Sequence, residues 1–176
     1  MIKFKKIKWK NFLSTGDHWT EIDFLEKNTN LIIGHNGSGK STLLDALTFV
    51  LFNKPFRKIN KSQLVNTVNE KECLVELEFD VNAREYVVRR GMKPTVFDIE
   101  VNGSPLHRQA DDRSNQKILE ENILKVNYKS FTQIVILGSS TFVPFMQLSS
   151  SVRRDVIEDL LDCLLYTSDA ADETGR

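Results

Sequence analysis

Apolar and polar residues alternate from Ile2 to Phe12, a pattern that predicts a strand. Ile2 and Phe4 share one parity and Ile7 and Trp9 the other, so a bulge near Lys5 and Lys6 is expected where the phase changes. Trp19, Ile22 and Phe24 predict a second strand, and Leu31 to Ile33 a short buried one that runs into a glycine-rich turn. Ser41 to Phe52 has helical spacing, with Leu43, Leu44, Leu47 and Leu51 on one side and Pro55 closing it. Val75, Leu77 and Phe79 alternate, as do Tyr86 and Val88, and Val96 to Val101 forms a third run before the tight-turn pair Asn102-Gly103. This block predicts an antiparallel meander. Asp112 to Leu124 is expected to be helical. Phe131 to Leu137 is an apolar run leading to Gly138, which sets Gln133 at a strand end. The serines at 149–151 offer N-caps for a helix carrying Val152, Val156 and Leu160.

Composition narrows the class. The 176 residues are 40% hydrophobic and 27% charged, enough for a buried core and unlike a disordered tail. No apolar run approaches the ~20 residues that span a bilayer, and none follows the basic N-terminus, so neither a membrane protein nor a secretory signal is expected. Cys73 and Cys163 are too few for a disulfide framework or a zinc site, and His18, His35 and His107 show no ligand spacing. A soluble, intracellular protein remains. The net charge is zero, yet residues 1–61 carry 11 Lys or Arg against 5 Asp or Glu, while residues 155–173 carry seven acids and no base. The basic excess suits either a polyanion such as DNA or a lysine-blunted edge strand. Arg57, Lys58 and Lys61 form a basic patch after the P-loop helix, expected to be a solvated loop. Residues 163–173, Cys-Leu-Leu-Tyr-Thr-Ser-Asp-Ala-Ala-Asp-Glu, resemble the translation of a transposon-end adaptor used in sequencing libraries. The expected division is therefore 1–162, ending at Asp162, and an adaptor-derived tail over 163–176.

Gly34-His35-Asn36-Gly37-Ser38-Gly39-Lys40-Ser41 fits the P-loop pattern without a mismatch. Its glycines let the backbone wrap a phosphate, so that successive N–H groups of Asn36, Gly37, Ser38 and Gly39 point inward at a helix N-terminus. Lys40 is expected at the β- and γ-phosphates, the Ser41 hydroxyl on Mg²⁺, and Thr42 near the α-phosphate. Asn53-Lys54 is followed by Pro55 and Phe56, so the guanine-reading Asn-Lys-x-Asp of a GTPase is absent. No apolar strand ends in an acid: Ile134 to Leu137 ends in Gly138, and Val75 to Asp80 is interrupted by Glu76 and Glu78. Leu148 to Ser151 lacks the glycines of an ABC signature and reads as a helix cap.

These residues resemble the SbcC family, the SMC-like heads of DNA-repair ATPases. The resemblance covers 1–162 and is carried by Lys10-Asn11-Phe12 with Ser14, Leu31 to Phe52 with Asp45-Ala46, Arg89-Arg90-Gly91, Gln133, and Ser149 to Leu161 with Arg153-Arg154. Lys54-Pro55-Phe56-Arg57, Gln63-Leu64, Lys93-Pro94 and Pro144-Phe145-Met146 are similar to a phage branch of that family. The resemblance implies an α/β fold: the N-terminal lobe of a P-loop ABC/SMC-type head, a mixed sheet with an antiparallel meander and the P-loop helix. It implies ATP and Mg²⁺ as cofactors, Gln133 as the glutamine that senses Mg²⁺ and the γ-phosphate, and Asn66 and Thr67 in a loop that touches the nucleotide. It also implies a homodimer that sandwiches ATP between two heads, a nuclease partner acting at double-stranded DNA ends, and a cytoplasmic location, the host's for a phage protein. Signature motif and acid-ended strand would follow a long coiled coil, so ATPase activity is expected of the longer protein and not of this stretch alone. Where many relatives carry a basic residue between the Phe and the Ser near the N-terminus, this chain has Leu13. Two other classes share parts of the pattern. An SMC-type chromosome organiser has the P-loop and the glutamine without a nuclease. A small-molecule P-loop kinase needs a complete site within about 200 residues.

Overall fold

The computed structural model describes residues 2–25, 29–106, 112–134, 136, 145–154, 156–158 and 161. The tail 163–176, the boundary at Asp162, Gly138 and His107 lie outside the described residues. The chain divides into two compact units, Met1–Gln116 and Lys117–Arg176.

The first unit is a six-stranded sheet under one long helix. Its strands are β1 (Ile2–Lys10), β2 (Thr20–Asp23), β3 (Cys73–Val81), β4 (Arg84–Met92), β5 (Val96–Val101) and β6 (Ser104–Pro105), in the spatial order β2-β1-β3-β4-β5-β6. Every pair is antiparallel, so among the described residues the sheet is a pure antiparallel one and not the mixed sheet expected. The phase change in β1 is met as predicted: its register against β3 shifts between Phe4 and Lys6, which puts Phe4 opposite Phe79 and Ile7 opposite Leu77. Asn102 and Gly103 take left-handed backbone angles in the turn between β5 and β6.

Helix α1 (Thr42–Phe52) packs on β3 and β4. The expected single apolar side is broader than the leucine spacing suggests. Leu43 and Leu44 are half-buried, whereas all residues from Asp45 to Phe52 are buried. The helix is sunk into the unit rather than laid across it. Phe49 meets Phe12 with ring centroids 5.6 Å apart, and each fully buried Phe or Leu of this kind contributes ~1.5–3 kcal/mol. Asn53 ends the helix in a left-handed cap whose N–H donates to Phe49 O, two residues before Pro55.

The sheet's inner face is apolar (Ile7, Trp9, Val75, Leu77, Phe79, Val88, Ile99), and its outer face is a lattice of charge. Lys8 pairs with Glu76, Glu76 with Arg89, and Arg89 with Glu100, crossing four strands with alternating sign. Lys5 pairs with Asp80 and Glu85, Lys6 with Glu21, and Lys10 with Glu72. The lysines at 5, 6, 8 and 10 are thus ion-paired, and β1 is not a blunted edge, since it lies between β2 and β3. Trp9 belongs to the core, but Trp19 is half-exposed over Lys8 and Lys10, at 5.2 and 5.7 Å.

Leu31 to Ile33 form no strand. Leu31 and Ile33 are each 83% exposed. Three β-prone apolar residues need a neighbouring strand to pair with, and among the described residues the antiparallel sheet offers them none.

Helix α2 (Asp112–Lys117) ends the first unit, and a π-helical stretch, Ile118–Leu124, opens the second. The helix expected over 112–124 is therefore present with its later half widened. Helix α3 (Tyr128–Ile134) follows, with Asn127 Oδ1 accepting from Ser130 N. Gln133 thus sits on a helix, not at a strand end. Residues 150–154 and 156–158 are helical and Val156 is buried, as expected of the serine-capped segment.

Candidate functional site

The P-loop joins the exposed Leu31–Ile33 segment to α1. Gly37 and Gly39 have φ of +85° and +91°, angles that a side chain resists, and these two residues turn the chain so that it curls ahead of the helix. Ser38 N donates to His35 O and Thr42 N to Gly39 O, which closes the curl. The Lys40 ammonium lies across the loop, donating to Gly34 O at 2.6 Å and His35 O at 2.8 Å. Ser41 takes the N-cap position of α1, yet its hydroxyl makes no capping hydrogen bond. Its oxygen is therefore not spent on the helix it starts.

A cleft of about 540 Å³ opens at this loop. Asn36, Gly37, Gly39, Lys40, Ser41 and Thr42 form one part of its lining. Leu13, Ser14, Arg57, Gln63 and Thr67 form the rest. Among the described residues two cations and no carboxylate face it. Of the residues expected at a nucleotide, Asn36, Gly37, Gly39, Lys40, Ser41, Thr42 and Thr67 are brought together in the first unit, and Ser38 is not part of the lining. Asn66 is not part of the lining. It is buried, with both ends of its carboxamide bonded to backbone: Nδ2 donates to Leu13 O and Thr15 O, and Oδ1 accepts from Val68 N and Asn69 N. Leu13 brings an aliphatic wall to the cleft.

Arg57, expected in a solvated basic patch with Lys58 and Lys61, is instead a member of the site. Its backbone N–H and Nε donate to the two oxygens of Asp45 at 2.9 and 2.6 Å. Asp45 is wholly buried, and a buried carboxylate is strongly unfavourable unless a cation and hydrogen bonds meet it. An acid within the buried part of the P-loop helix was the signal that such a partner must exist. Lys61 lies 6.0 Å from the Phe49 ring, and burial, helped by the nearby Arg90 charge, lowers its pKa. Lys58 and Lys61 are both exposed, as expected of a solvated loop, and Arg57 alone of the three is half-buried.

Among the described residues no group of three His, Cys, Asp or Glu is placed to hold a metal ion. A divalent ion here would rest on hydroxyl, amide and phosphate oxygens, a donor set that suits Mg²⁺. Ser41 offers one such oxygen. In the second unit, Gln133 Oε1 is buried and accepts no hydrogen bond among the described residues, so it can serve as an oxygen donor.

Comparison with known proteins matches residues 6–173 to a family described as an AAA domain. Exonuclease subunit 2 of Enterobacteria phage T4 is 44% identical over 160 residues, 91% of this chain and 28% of its own length. The same subunit of Escherichia phage RB69 is 42% identical over the same shares. The DNA double-strand break repair Rad50 ATPase of Thermoplasma volcanium is 29% identical over 90% of this chain and 18% of its own length. A solved structure of an SMC ATPase superposes with a TM-score of 0.63 at 25% identity, covering 90% of this chain and 99% of that one. The chain thus spans little more than a quarter of the phage relatives it matches.

Proposed function

Because the chain belongs to the AAA domain family and carries the N-terminal part of a Rad50/SbcC-type ATPase head, we propose that its cleft binds ATP with Mg²⁺ and that the longer protein hydrolyses ATP to control a nuclease subunit at double-stranded DNA ends. The observation that carries this reading is the P-loop cleft itself. A curled backbone with two left-handed glycines, a lysine and an uncapped serine converge on one concavity at a helix N-terminus.

Within it, the amides of Asn36, Gly37, Ser38 and Gly39 bind phosphate oxygens, and Lys40 and Arg57 balance their charge. Thr42 lies at the α-phosphate end, and Thr67 contacts the nucleoside. Ser41 would hold Mg²⁺ from the P-loop, Gln133 in the second unit is the candidate for a further oxygen ligand, and the ion would supply neutralisation of phosphate charge. The nuclease partner is supported by the relatives named exonuclease subunit 2 and by the nuclease SbcCD of Clostridium acetobutylicum, one of whose subunits is 28% identical to this chain. A homodimer with ATP between two heads is supported by the likeness to an SMC ATPase studied for ATP-driven dimerization. The repair reading is favoured over a chromosome organiser because the phage exonuclease subunits are 42–44% identical and the SMC chain 25%. The same relatives support a place in the cytoplasm of an infected host.

Nucleotide titration of the full chain tests the reading. Lys40→Ala removes a charge-assisted contact worth ~1.5–3 kcal/mol, so ATP affinity should fall roughly tenfold to a hundredfold. Equal affinity in wild type and variant would overturn the assignment.

A further inference from the structure

Beyond the P-loop and Arg57, two loops line the cleft. One follows β1 and carries Leu13 and Ser14. The other carries Gln63 and Thr67. The second begins in a 3-10 turn, Lys61–Leu64, and the two meet at one isolated bridge, Phe12 with Val65, and where Leu13 N donates to Leu64 O at 2.6 Å. The first takes left-handed angles at Asn11 (φ 50°) and Leu13 (φ 55°), unfavourable for leucine. Something must impose that shape, and Asn66 sits at the junction. Its backbone N–H donates to Asn11 O at 2.9 Å. Its Nδ2 donates to Leu13 O at 3.1 Å and Thr15 O at 3.0 Å, and its Oδ1 takes Val68 N at 2.9 Å and Asn69 N at 3.0 Å. Asn69 Nδ2 extends the junction to Asn11 Oδ1. A carboxamide is the one side chain of this size that can donate twice and accept twice here.

We propose that Asn66 is a positioning residue for the nucleoside end of the cleft. It acts through Leu13, Ser14 and Thr67, which it stations, and does not touch the ligand. The inference rests on the nucleotide reading above and deepens it. The P-loop part of the lining, with Lys40, matches polyphosphate. The lining that Asn66 stations — Leu13, Ser14 and Thr67 — is uncharged, with one aliphatic side chain, and matches a base and sugar. The two halves should therefore be separable by substitution.

The test compares two probes on the full chain, ATP and inorganic tripolyphosphate, the second measured by its competition with a fluorescent ATP analogue. Asn66→Asp keeps the size but sets an oxygen against Leu13 O and Thr15 O. The preference for ATP over tripolyphosphate should fall about tenfold, with tripolyphosphate affinity within about twofold of wild type. Loss of both affinities in proportion would mark a merely structural residue and overturn the proposal, as would an unchanged preference or a wild-type preference of one. If Asn66→Asp does not fold, Asn69→Ala removes only the outer bond and should give the same selective loss, smaller; an unchanged preference there counts against the proposal equally. Val68→Ala, in the same loop with its side chain in solvent, should match wild type. Wild-type chain that binds no ATP would overturn the nucleotide reading itself, whereas wild-type binding with an indifferent Asn66 would overturn this inference alone.

Discussion

Glu76 carries the most instructive balance of forces at the residue scale. Burial of its carboxyl raises the pKa, but hydrogen bonds from Lys8 and Arg89 outweigh that and hold it below the usual carboxylate value. A folded-state pKa below the unfolded value of about 4.3 means the unfolded chain binds the proton more readily. The stabilisation is complete above the unfolded pKa and is lost as pH falls through the folded one. Thermal melting between about pH 6 and pH 3 should show that acid loss in wild type and a shallower slope in Glu76→Gln; parallel slopes would count against the account. Much at this scale was legible in the sequence. The change of parity located the bulge, and the P-loop is contiguous, so its residues meet whatever surrounds them. Arg57 and Asn66 were not legible in their roles, because each acts through residues distant in the chain. Nothing in a run of Arg, Lys and Asn says which one a buried Asp45 or a bent loop requires.

At the scale of elements, the P-loop helix has no basic residue in its last turn. Strand β4 supplies one. Arg90 Nε donates to Val50 O at 3.0 Å and Nη2 to Gln116 Oε1 at 2.6 Å, while Gln116 Nε2 donates to Leu51 O at 2.8 Å. The guanidinium also lies 3.7 Å from the centroid of Phe97. The next residue, Gly91, could not carry a Cβ, which would meet the Cys73 carbonyl at 2.9 Å. The Arg-Arg-Gly triplet thus has a physical meaning: one arginine in the outer charge lattice, one under the helix end, and a glycine for close strand contact. Arg90→Leu should cost ~2–4 kcal/mol, from hydrogen bonds of a charged donor and the cation at the helix terminus. Arg90→Lys should recover part of that, as read by urea unfolding; a loss below about 0.5 kcal/mol in Arg90→Leu would refute the cap. Strands of the meander were readable because alternation survives in any sheet with one dry face. Leu31–Ile33 misled because hydrophobicity predicts that a segment wants a partner, not that one is in reach, and Gln133 because a short apolar run has no period to separate helix from strand.

For the whole molecule, the described lining of the cleft suits the binding of a polyphosphate better than its hydrolysis. Among the described residues its lining has two cations, amides and hydroxyls but no carboxylate to orient or deprotonate water, and the acid of the P-loop helix, Asp45, is committed to Arg57. Phosphoryl transfer depends on such positioning, and one missing charge-stabilising group commonly costs ~10²–10³ in rate. This chain should bind ATP and release phosphate at a negligible rate. Turnover should appear when the remaining part of a full-length relative's head is added in trans. Sustained phosphate release by the chain alone would restore the self-contained kinase reading. The exposed Leu31 and Ile33 point the same way: an unpaired apolar segment beside the P-loop is a surface that favours association in solution.

The sheet order also dictates a sequence of events in time. β3, β4 and β5 pair in chain order, and β1 pairs with its chain neighbour β2, but β1 meets β3 only across the residues of α1, bringing Ile7 opposite Leu77. Short closures form before long ones, so we expect the meander to assemble first and β1 to dock late. Pulse-labelled hydrogen exchange during refolding should protect the amides of Val87 to Ile99 before those of Lys6 to Trp9; simultaneous protection would argue for a different nucleus. The loop bearing Leu13 and Ser14 trails directly from β1. A newly made chain would therefore possess its phosphate loop before it possesses the wall for a nucleoside, and a nucleotide that needs both would bind only chains whose first strand has arrived.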